Sequence, residues 1–315
     1  MSLAAGGQPA IEMKGLSYSY GGQPAVSDID LRVETNEMFA LVGPDGAGKT
    51  TTVRLLCGIL RPATGSIRIL GHELPRDMAW VKEHIGYLSQ RFSLYGDLTV
   101  DENVEFFAQI NGVHDFQARR EELLSFTRLL PFRGRLTERL SGGMKQKLAL
   151  ACTLVHRPRI IFLDEPTTGV DPVSRREFWI ILSQLLREGI TIVMSTPYLD
   201  EAERASRVGL LNAGRLMIAE SPAHIKAAMK GFVLEIVCAD IRRASAVLRA
   251  RGELREVQLF GDRLNAVTPD AQAGEQTVRD ALQEAGIEIT SLRVIPPSLE
   301  NAFISLIRSE SEELS

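Results

Sequence analysis

The chain has 315 residues, 44% hydrophobic and 24% charged, with 14 prolines and 26 glycines, which excludes collagen-like, low-complexity and wholly disordered classes. At about 100–200 residues per domain, the length accommodates about two domains, each with its own core. A net charge of −4 supplies no global basic field to draw the chain onto nucleic acid, although a local anion site needs only a few backbone N–H groups and one lysine.

Met1 to Gly7 lacks the basic start and apolar core of a signal peptide. No segment approaches the ~18 consecutive apolar residues of a membrane-spanning helix, so the chain is expected to be soluble and to meet a membrane only through a partner. Ile11 to Tyr20 alternates apolar positions, Gly21-Gly22 turns the chain, and Phe39–Val42 reads as a buried parallel strand. The glycine-rich stretch Gly43–Thr50 follows, then a helix expected over Thr51–Ile59. Residues 99–130 have helical character, with Thr99-Val-Asp-Glu102 as a capping box and Pro131 and Gly134 as interruptions. A second strand–turn–helix unit takes Ile160–Leu163 and Pro172–Glu188, and the β-branched run Ile190–Met194 reads as another strand. Past Ser221-Pro222 the pattern changes. Residues 232–307 are expected to form two short strand–helix–strand units: Phe232–Val237 with Ile241–Arg251, and Leu264–Val267 with Thr277–Ala285 and Ile287–Val294. Arg308 to Ser315 is expected to be a loose polar tail. Cys57, Cys152 and Cys238 are odd in number, widely spaced and each within an apolar run, which predicts buried reduced thiols and a reducing cytosol.

Three stretches carry chemistry. Gly43-Pro44-Asp45-Gly46-Ala47-Gly48-Lys49-Thr50 matches the phosphate-loop pattern GxxxxGK[ST] in full. Its glycines let the backbone curl so that N–H groups face a phosphate, and the following helix adds its positive end. Lys49 supplies a point charge, and the Thr50 hydroxyl can ligate Mg²⁺. Ile160-Ile-Phe-Leu-Asp164-Glu165 sets two carboxylates at the C-terminal end of a buried strand, where α/β proteins bind ligands. Asp164 is expected to hold Mg²⁺ through water, and Glu165 to polarise an attacking water. Leu140-Ser141-Gly142-Gly143-Met144-Lys145-Gln146 opens a helix running to Leu154, a second exposed helix N-terminus suited to phosphate. A plain N-cap would need the serine but not two glycines.

Together these stretches, in this order across residues 10–225, resemble the ATP-binding subunit of an ABC transporter. The resemblance implies an α/β P-loop cassette, a mixed central sheet with a helical subdomain over about residues 91–158, occupying residues 1–225. A small α+β domain over residues 226–307 and a flexible tail at 308–315 complete the expected architecture. It also implies ATP and Mg²⁺ as cofactors and a head-to-tail pair of cassettes, a homodimer or a pair with a non-identical cassette, in which Ser141, Gly142 and Gly143 of one close on the ATP of the other. Tyr20 stands where the family stacks an aromatic on adenine. Gly43 through Thr50, with Thr51 beside them, stand at the phosphates, and Glu165 is the implied catalytic carboxylate. Gln90 stands at the Q-loop, where a glutamine touches Mg²⁺ alongside Thr50 and Asp164 and links to the membrane subunit. Arg91-Phe92-Ser93-Leu94-Tyr95 offers contacts for a partner's coupling helix, and Gly169-Val170-Asp171-Pro172 resembles the D-loop. The ending Pro297-Ser298-Leu299-Glu300-Asn301-Ala302-Phe303 is similar to that of ABC-2 type exporter ATPases, which export drugs, lipids or polysaccharides.

The chain departs from the family after Ile190–Met194. Where the family reads Ser-Thr-His, with the histidine gripping the γ-phosphate, this chain reads Ser195-Thr196-Pro197. None of its five histidines lies within 25 residues of Pro197. Thr196 as an N-cap and Pro197 as first helical residue would keep the helix start. Asp45 replaces the usual asparagine and Met144 the usual glutamine. The combination resembles the first cassette of tandem ABC-2 exporter ATPases, where a degenerate site pairs with a competent one. The expected function is therefore ATP binding and hydrolysis, slow at its own site, that powers export through a separate ABC-2 type permease at the inner face of the cell membrane. Two alternatives stay open: an ATP-gated dimerisation module, and a soluble ABC ATPase outside transport. Neither nucleic acid nor a particular exported substrate is implied.

Overall fold

The computed structural model describes residues 8–91 and 93–313, with side chains to residue 308. The expectations about Met1 to Gly7, Phe92 and the last two tail residues lie outside the described residues. The chain divides into two compact units, one ending at Ser221 and the other beginning at Pro222.

In the first unit, β1 (Ile11–Tyr20) and β2 (Gln23–Val33) pair as a hairpin across Gly21 and Gly22. β3 (Met38–Val42), buried at every residue, leads through the phosphate loop into α1 (Lys49–Leu56). Next come β4 (Thr64–Ile69), β5 (His72–Leu74), α2 (Met78–His84) and β6 (Ile85–Leu88). A helical stretch follows with α3 (Val100–Ile110), α4 (Gln117–Phe126) and α5 (Gly142–Thr153). The unit ends with β7 (Ile160–Asp164), α6 (Pro172–Arg187), β8 (Thr191–Thr196), α7 (Leu199–Ala202), β9 (Arg207–Asn212) and β10 (Arg215–Glu220).

Among the described residues these strands form two sheets, ordered β2-β1-β4-β5 and β10-β9-β3-β8-β7-β6. The first is antiparallel, and in the second β9, β3, β8, β7 and β6 run parallel. The unbroken apolar run of β3 and that of β7 fit strands covered on both faces. Their side chains share a core with the antiparallel sheet, where Ile11, Met13, Phe39 and Phe162 are fully buried. Each such side chain contributes about 1.5–3 kcal/mol. Because β3, β8 and β7 are adjacent and parallel, the loops after all three emerge at one edge, the edge that positions ligands in α/β folds.

The second unit comprises α8 (Pro222–Ala228), β11 (Phe232–Cys238), α9 (Ile241–Arg249), β12 (Glu256–Phe260), β13 (Arg263–Thr268), α10 (Ala271–Glu284), β14 (Ile289–Ile295) and α11 (Leu299–Glu313). Its antiparallel sheet, ordered β12-β13-β11-β14, is a split βαβ arrangement. Leu234, Ile236, Leu264 and Ala266 on one face of the sheet close a separate core with Ala244 and Leu248 of α9 and Val278 and Leu282 of α10.

Local signals place most helix starts. Thr99 and Glu102 form the reciprocal capping box of α3, Ser141 caps α5, and Asp171 caps α6 ahead of Pro172. Several expectations change, among them the start of α10, which opens at Ala271 behind its Asp270 cap rather than at Thr277. The phosphate loop winds directly into α1, which starts at Lys49 and stops at Leu56 rather than spanning Thr51–Ile59. The helical character over 99–130 breaks into α3 and α4, with Gly112 at φ 70°. β12 is an extra strand: Val257 faces the core, but Glu256 and Gln258 face the other side, so its apolar content is too low to announce it. Finally, α11 carries the backbone through Glu313, into residues expected as a loose tail.

Candidate functional site

The phosphate loop is built where glycine is required. A Cβ on Gly43 would lie 2.2 Å from the Leu211 carbonyl oxygen, and one on Gly48 would lie 2.4 Å from that of Ala25, with Gly48 also at φ 102°. As the N-cap of α1, Gly48 brings no capping side chain, and the first turn carries no acid, so the positive helix end is left for an external anion. Lys49 is 4% exposed, and its Nζ donates to the carbonyls of Gly43 (2.8 Å) and Pro44 (3.0 Å). The ammonium thereby sits in the mouth of the loop. An open cleft of about 290 Å³ is lined by Tyr20, Ala25, residues 45–51 and Glu165. Tyr20 stands at its rim, 44% exposed, with its ring edge-on to Tyr18 at 4.9 Å. Asp45 and Gly46 are exposed there, and Thr51 is buried.

The carboxylates come from β7. Thr50 Oγ1 donates to Asp164 Oδ1 at 2.9 Å, across 114 residues of sequence. The Ser195 hydroxyl of β8 donates to the same oxygen at 2.6 Å. Asp164 Oδ2 is buried and, among the described residues, has no hydrogen-bond partner. The neighbourhood feels this carboxylate: burial first, and then the charge of Asp164, push the Tyr87 phenol up to about 12 and the Cys57 thiol well upward. An acceptor-only group with one buried, unpaired oxygen, beside a threonine hydroxyl, is a donor set that fits a hard dication such as Mg²⁺. Glu165 lies 3.8 Å from Lys49 Nζ, and its Oε2 accepts from Gln90 Nε2 at 2.9 Å and from Thr168 Oγ1 at 3.4 Å. Gln90 is thus brought to Glu165, while Thr50 is brought to Asp164.

Ser141, Gly142 and Gly143 are set elsewhere. Ser141 Oγ accepts from Met144 N at 3.3 Å, and Gly142 is exposed with open space where a side chain would stand. A Cβ on Gly143 would meet Ser174 Oγ at 2.2 Å, so this glycine lets α5 close against the start of α6. There Asp171 Oδ1 accepts from the N–H groups of Val173 and Ser174, bonds that hold its pKa below the usual carboxylate range. The serine–glycine turn and the Gly169–Pro172 loop therefore form one surface, distinct from the cleft lined by Tyr20 and Glu165. Gln146 of α5 is buried, and its Nε2 donates to the Pro166 carbonyl, joining this surface to the loop after β7.

Around Pro197 the local structure differs from expectation. Thr196 ends β8 and Tyr198 is the N-cap of α7, so Pro197 is not the first helical residue. Thr196 Oγ1 accepts from Tyr198 N (3.1 Å) and donates to Glu201 Oε2 (3.0 Å), which also accepts from Thr167 Oγ1 (2.7 Å). Glu201 is 2% exposed and pairs with Arg175 at 3.4 Å, whose guanidinium lies over the Tyr198 ring. The segment is held by a polar network, and Pro197 presents no side-chain donor. Of the apolar contacts expected from residues 91–95, Ser93 and Leu94 line a groove with Phe107, Ala149 and Cys152. Tyr95 instead packs edge-on to Phe106 and is tied by its N–H to Asn103. All three cysteines are free and buried. No described helix is long and apolar enough to cross a membrane.

Sequence reading missed Ser195, Thr167 and Glu201. The signal for Ser195 lay in pairing: in the parallel β7–β8 register Asp164 stands opposite Ser195.

Residues 26–168 match the family model described as ABC transporter. The "Probable multidrug ABC transporter ATP-binding protein YbhF" of Escherichia coli (strain K12) is 40% identical over 224 residues, 70% of this chain, and the chain spans only 39% of that relative's length. The "Daunorubicin resistance ATP-binding protein DrrA3" of Streptomyces coeruleorubidus is 35% identical over 302 residues, covering 94% of this chain and 95% of the relative. "Nod factor export ATP-binding protein I" of Rhizobium leguminosarum bv. viciae is 35% identical over 311 residues, 96% of each. Among solved structures, an ATP-binding subunit of an ABC transporter superposes with a TM-score of 0.63 at 29% identity, covering 69% of this chain and 92% of its own.

Proposed function

The chain belongs to the ATP-binding proteins of ABC transporters, a generally ATP-hydrolysing family, and from that premise we propose that it powers export through a separate ABC-2 type permease as one half of an asymmetric cassette pair. The observation that carries the reading is that Lys49, Thr50 and Glu165 line one cleft, with Asp164 hydrogen-bonded to Thr50 and Gln90 to Glu165. In this reading the loop N–H groups and Lys49 bind the phosphates, and Tyr20 stacks on the base. Thr50 and Asp164, with Gln90 alongside, hold Mg²⁺, which neutralises phosphate charge when bound. Glu165, fixed by Gln90 and Thr168, orients a water and takes its proton. Ser141, Gly142 and Gly143 complete the site of a second cassette. Relatives named for drug resistance and Nod factor export support an exported cargo and a place at the inner face of the cell membrane.

Asymmetry rests on Pro197. A missing positioned donor to a transition-state oxygen costs about 10²–10³ in rate, so the chain's own site turns over slowly while its serine–glycine turn can still serve a partner. Steady-state ATPase of the parent, Glu165→Gln and Pro197→His tests this. Slow parental turnover, lost in Glu165→Gln and raised in Pro197→His, is expected; brisk parental turnover unchanged in Pro197→His refutes the asymmetric reading. ATP-dependent dimerisation with no phosphate release in any of the three favours a gated dimerisation module instead.

A further inference from the structure

We propose that Ser195 is the positioning residue that sets both β7 carboxylates, aiming Asp164 Oδ2 at the divalent cation and holding Glu165 in its backbone conformation; this rests on the Mg²⁺–ATP reading above. Its hydroxyl, fully buried, makes two bonds at once. It donates to Asp164 Oδ1 at 2.6 Å and accepts from Glu165 N at 3.0 Å, so one side chain grips two consecutive residues at the strand end. Its carbonyl oxygen also accepts from Glu165 N at 3.1 Å. Glu165 needs this grip because its φ is +47°, a left-handed conformation uncommon for a side chain of its kind.

The consequence for Asp164 follows from hydrogen-bond capacity. A carboxylate rotates about one bond, and fixing Oδ1 with two donors fixes Oδ2 as well. Oδ2 is the buried oxygen with no partner among the described residues. Of the two donors on Oδ1, Thr50 is also a candidate cation ligand, whereas Ser195 has no other acceptor to serve. Ser195 is therefore the donor that keeps Oδ2 aimed whatever Thr50 does. The rest of the strand end cannot substitute, since the Thr196 hydroxyl is committed to Glu201 and Pro197 has no donor. A residue that orients a metal ligand is worth about 10–100-fold in metal affinity.

The test titrates Mn²⁺ against the full chain saturated with a non-hydrolysable ATP analogue, followed by electron paramagnetic resonance. Analogue affinity in EDTA is measured in parallel. Ser195→Ala should weaken Mn²⁺ about 10–100-fold and leave analogue affinity in EDTA within about twofold. Ser195→Thr, which keeps the hydroxyl, should restore Mn²⁺ affinity. If the added methyl is not accommodated, the folding midpoint of that variant drops and the alanine result decides alone. Unchanged Mn²⁺ affinity in Ser195→Ala overturns the proposal, and so does an equal loss of analogue affinity in EDTA, which marks a merely structural role. A parent chain that binds neither analogue nor Mn²⁺ refutes the nucleotide reading itself, and the proposal with it.

Discussion

Gly143 illustrates how a residue type can answer two demands. In the sequence the paired glycines after Ser141 read as an anion site, since an N-cap alone would need only the serine. Gly142 fits that reading, because its side-chain position is open space. Gly143 has a packing reason as well: a Cβ there would stand 2.2 Å from Ser174 Oγ and 2.3 Å from Ser174 Cβ. Such contacts lie far inside ordinary van der Waals distance, so Gly143→Ala must push α5 and the start of α6 apart. The expected cost is about 1–3 kcal/mol in denaturant unfolding. Because the clash is with one side chain, Ser174→Gly should recover most of it, and the two changes should be strongly non-additive. Additive losses would show that Ser174 is not what the alanine meets. The first-turn residue Lys49 is different: its polar contacts are with two loop carbonyls and, at 3.8 Å, the Glu165 carboxylate, and Lys49→Ala is expected to abolish ATP binding, measured by equilibrium titration.

At the scale of elements, the join between α5 and β6 contains a half-buried histidine that gives the fold a pH dependence. His156 bonds through Nε2 to the Ile85 carbonyl at 2.9 Å, and a carbonyl only accepts, so the proton sits on Nε2. Its Nδ1 is buried without a hydrogen-bond partner among the described residues. Burial lowers its pKa and the nearby His84 lowers it further, against the bond to Ile85. The sign follows: a histidine depressed in the native chain contributes stability in full above the ordinary value of 6.5, and that contribution is lost as pH falls through the depressed value. Unfolding free energy should therefore fall between pH 7 and 5, and His156→Gln, which cannot take up the proton, should flatten that fall. An identical slope in parent and variant would assign the dependence to other groups. Motifs whose chemistry demands fixed residue types at short spacing, Gly43–Thr50 and Asp164-Glu165, were readable in one pass. Ser195 was not, because its role exists only when β8 lies parallel to β7, bringing together residues 31 apart in the chain. β12 was obscured because half its side chains face a polar cluster where Gln258 bonds Glu256 and Asn301.

For the molecule as a whole, two separate cores imply two separable stabilities. The first unit holds every residue that lines the cleft of Lys49 and Glu165; the second closes its own core from one face of a four-stranded sheet and two helices. A ligand that binds one folded unit stabilises that unit by RT ln(1 + [L]/Kd), about 2.7 kcal/mol at a hundredfold excess over Kd, and leaves the other unchanged. Calorimetry of the full chain should accordingly resolve two transitions, with Mg²⁺–ATP raising only the one that belongs to the cassette. Leu264→Ala supplies the complementary perturbation. Leu264 is fully buried in the second core, so its truncation should cost about 2–5 kcal/mol there. The ATP affinity of the cassette should stay the same, because no residue of the cleft belongs to that core. A single transition that Mg²⁺–ATP raises as a whole, or a loss of ATP affinity in Leu264→Ala equal to that of a cleft variant, would instead make the second unit part of the nucleotide machinery. With independent transitions, the unit beginning at Pro222 is energetically separate from the one that carries Lys49, Asp164 and Glu165.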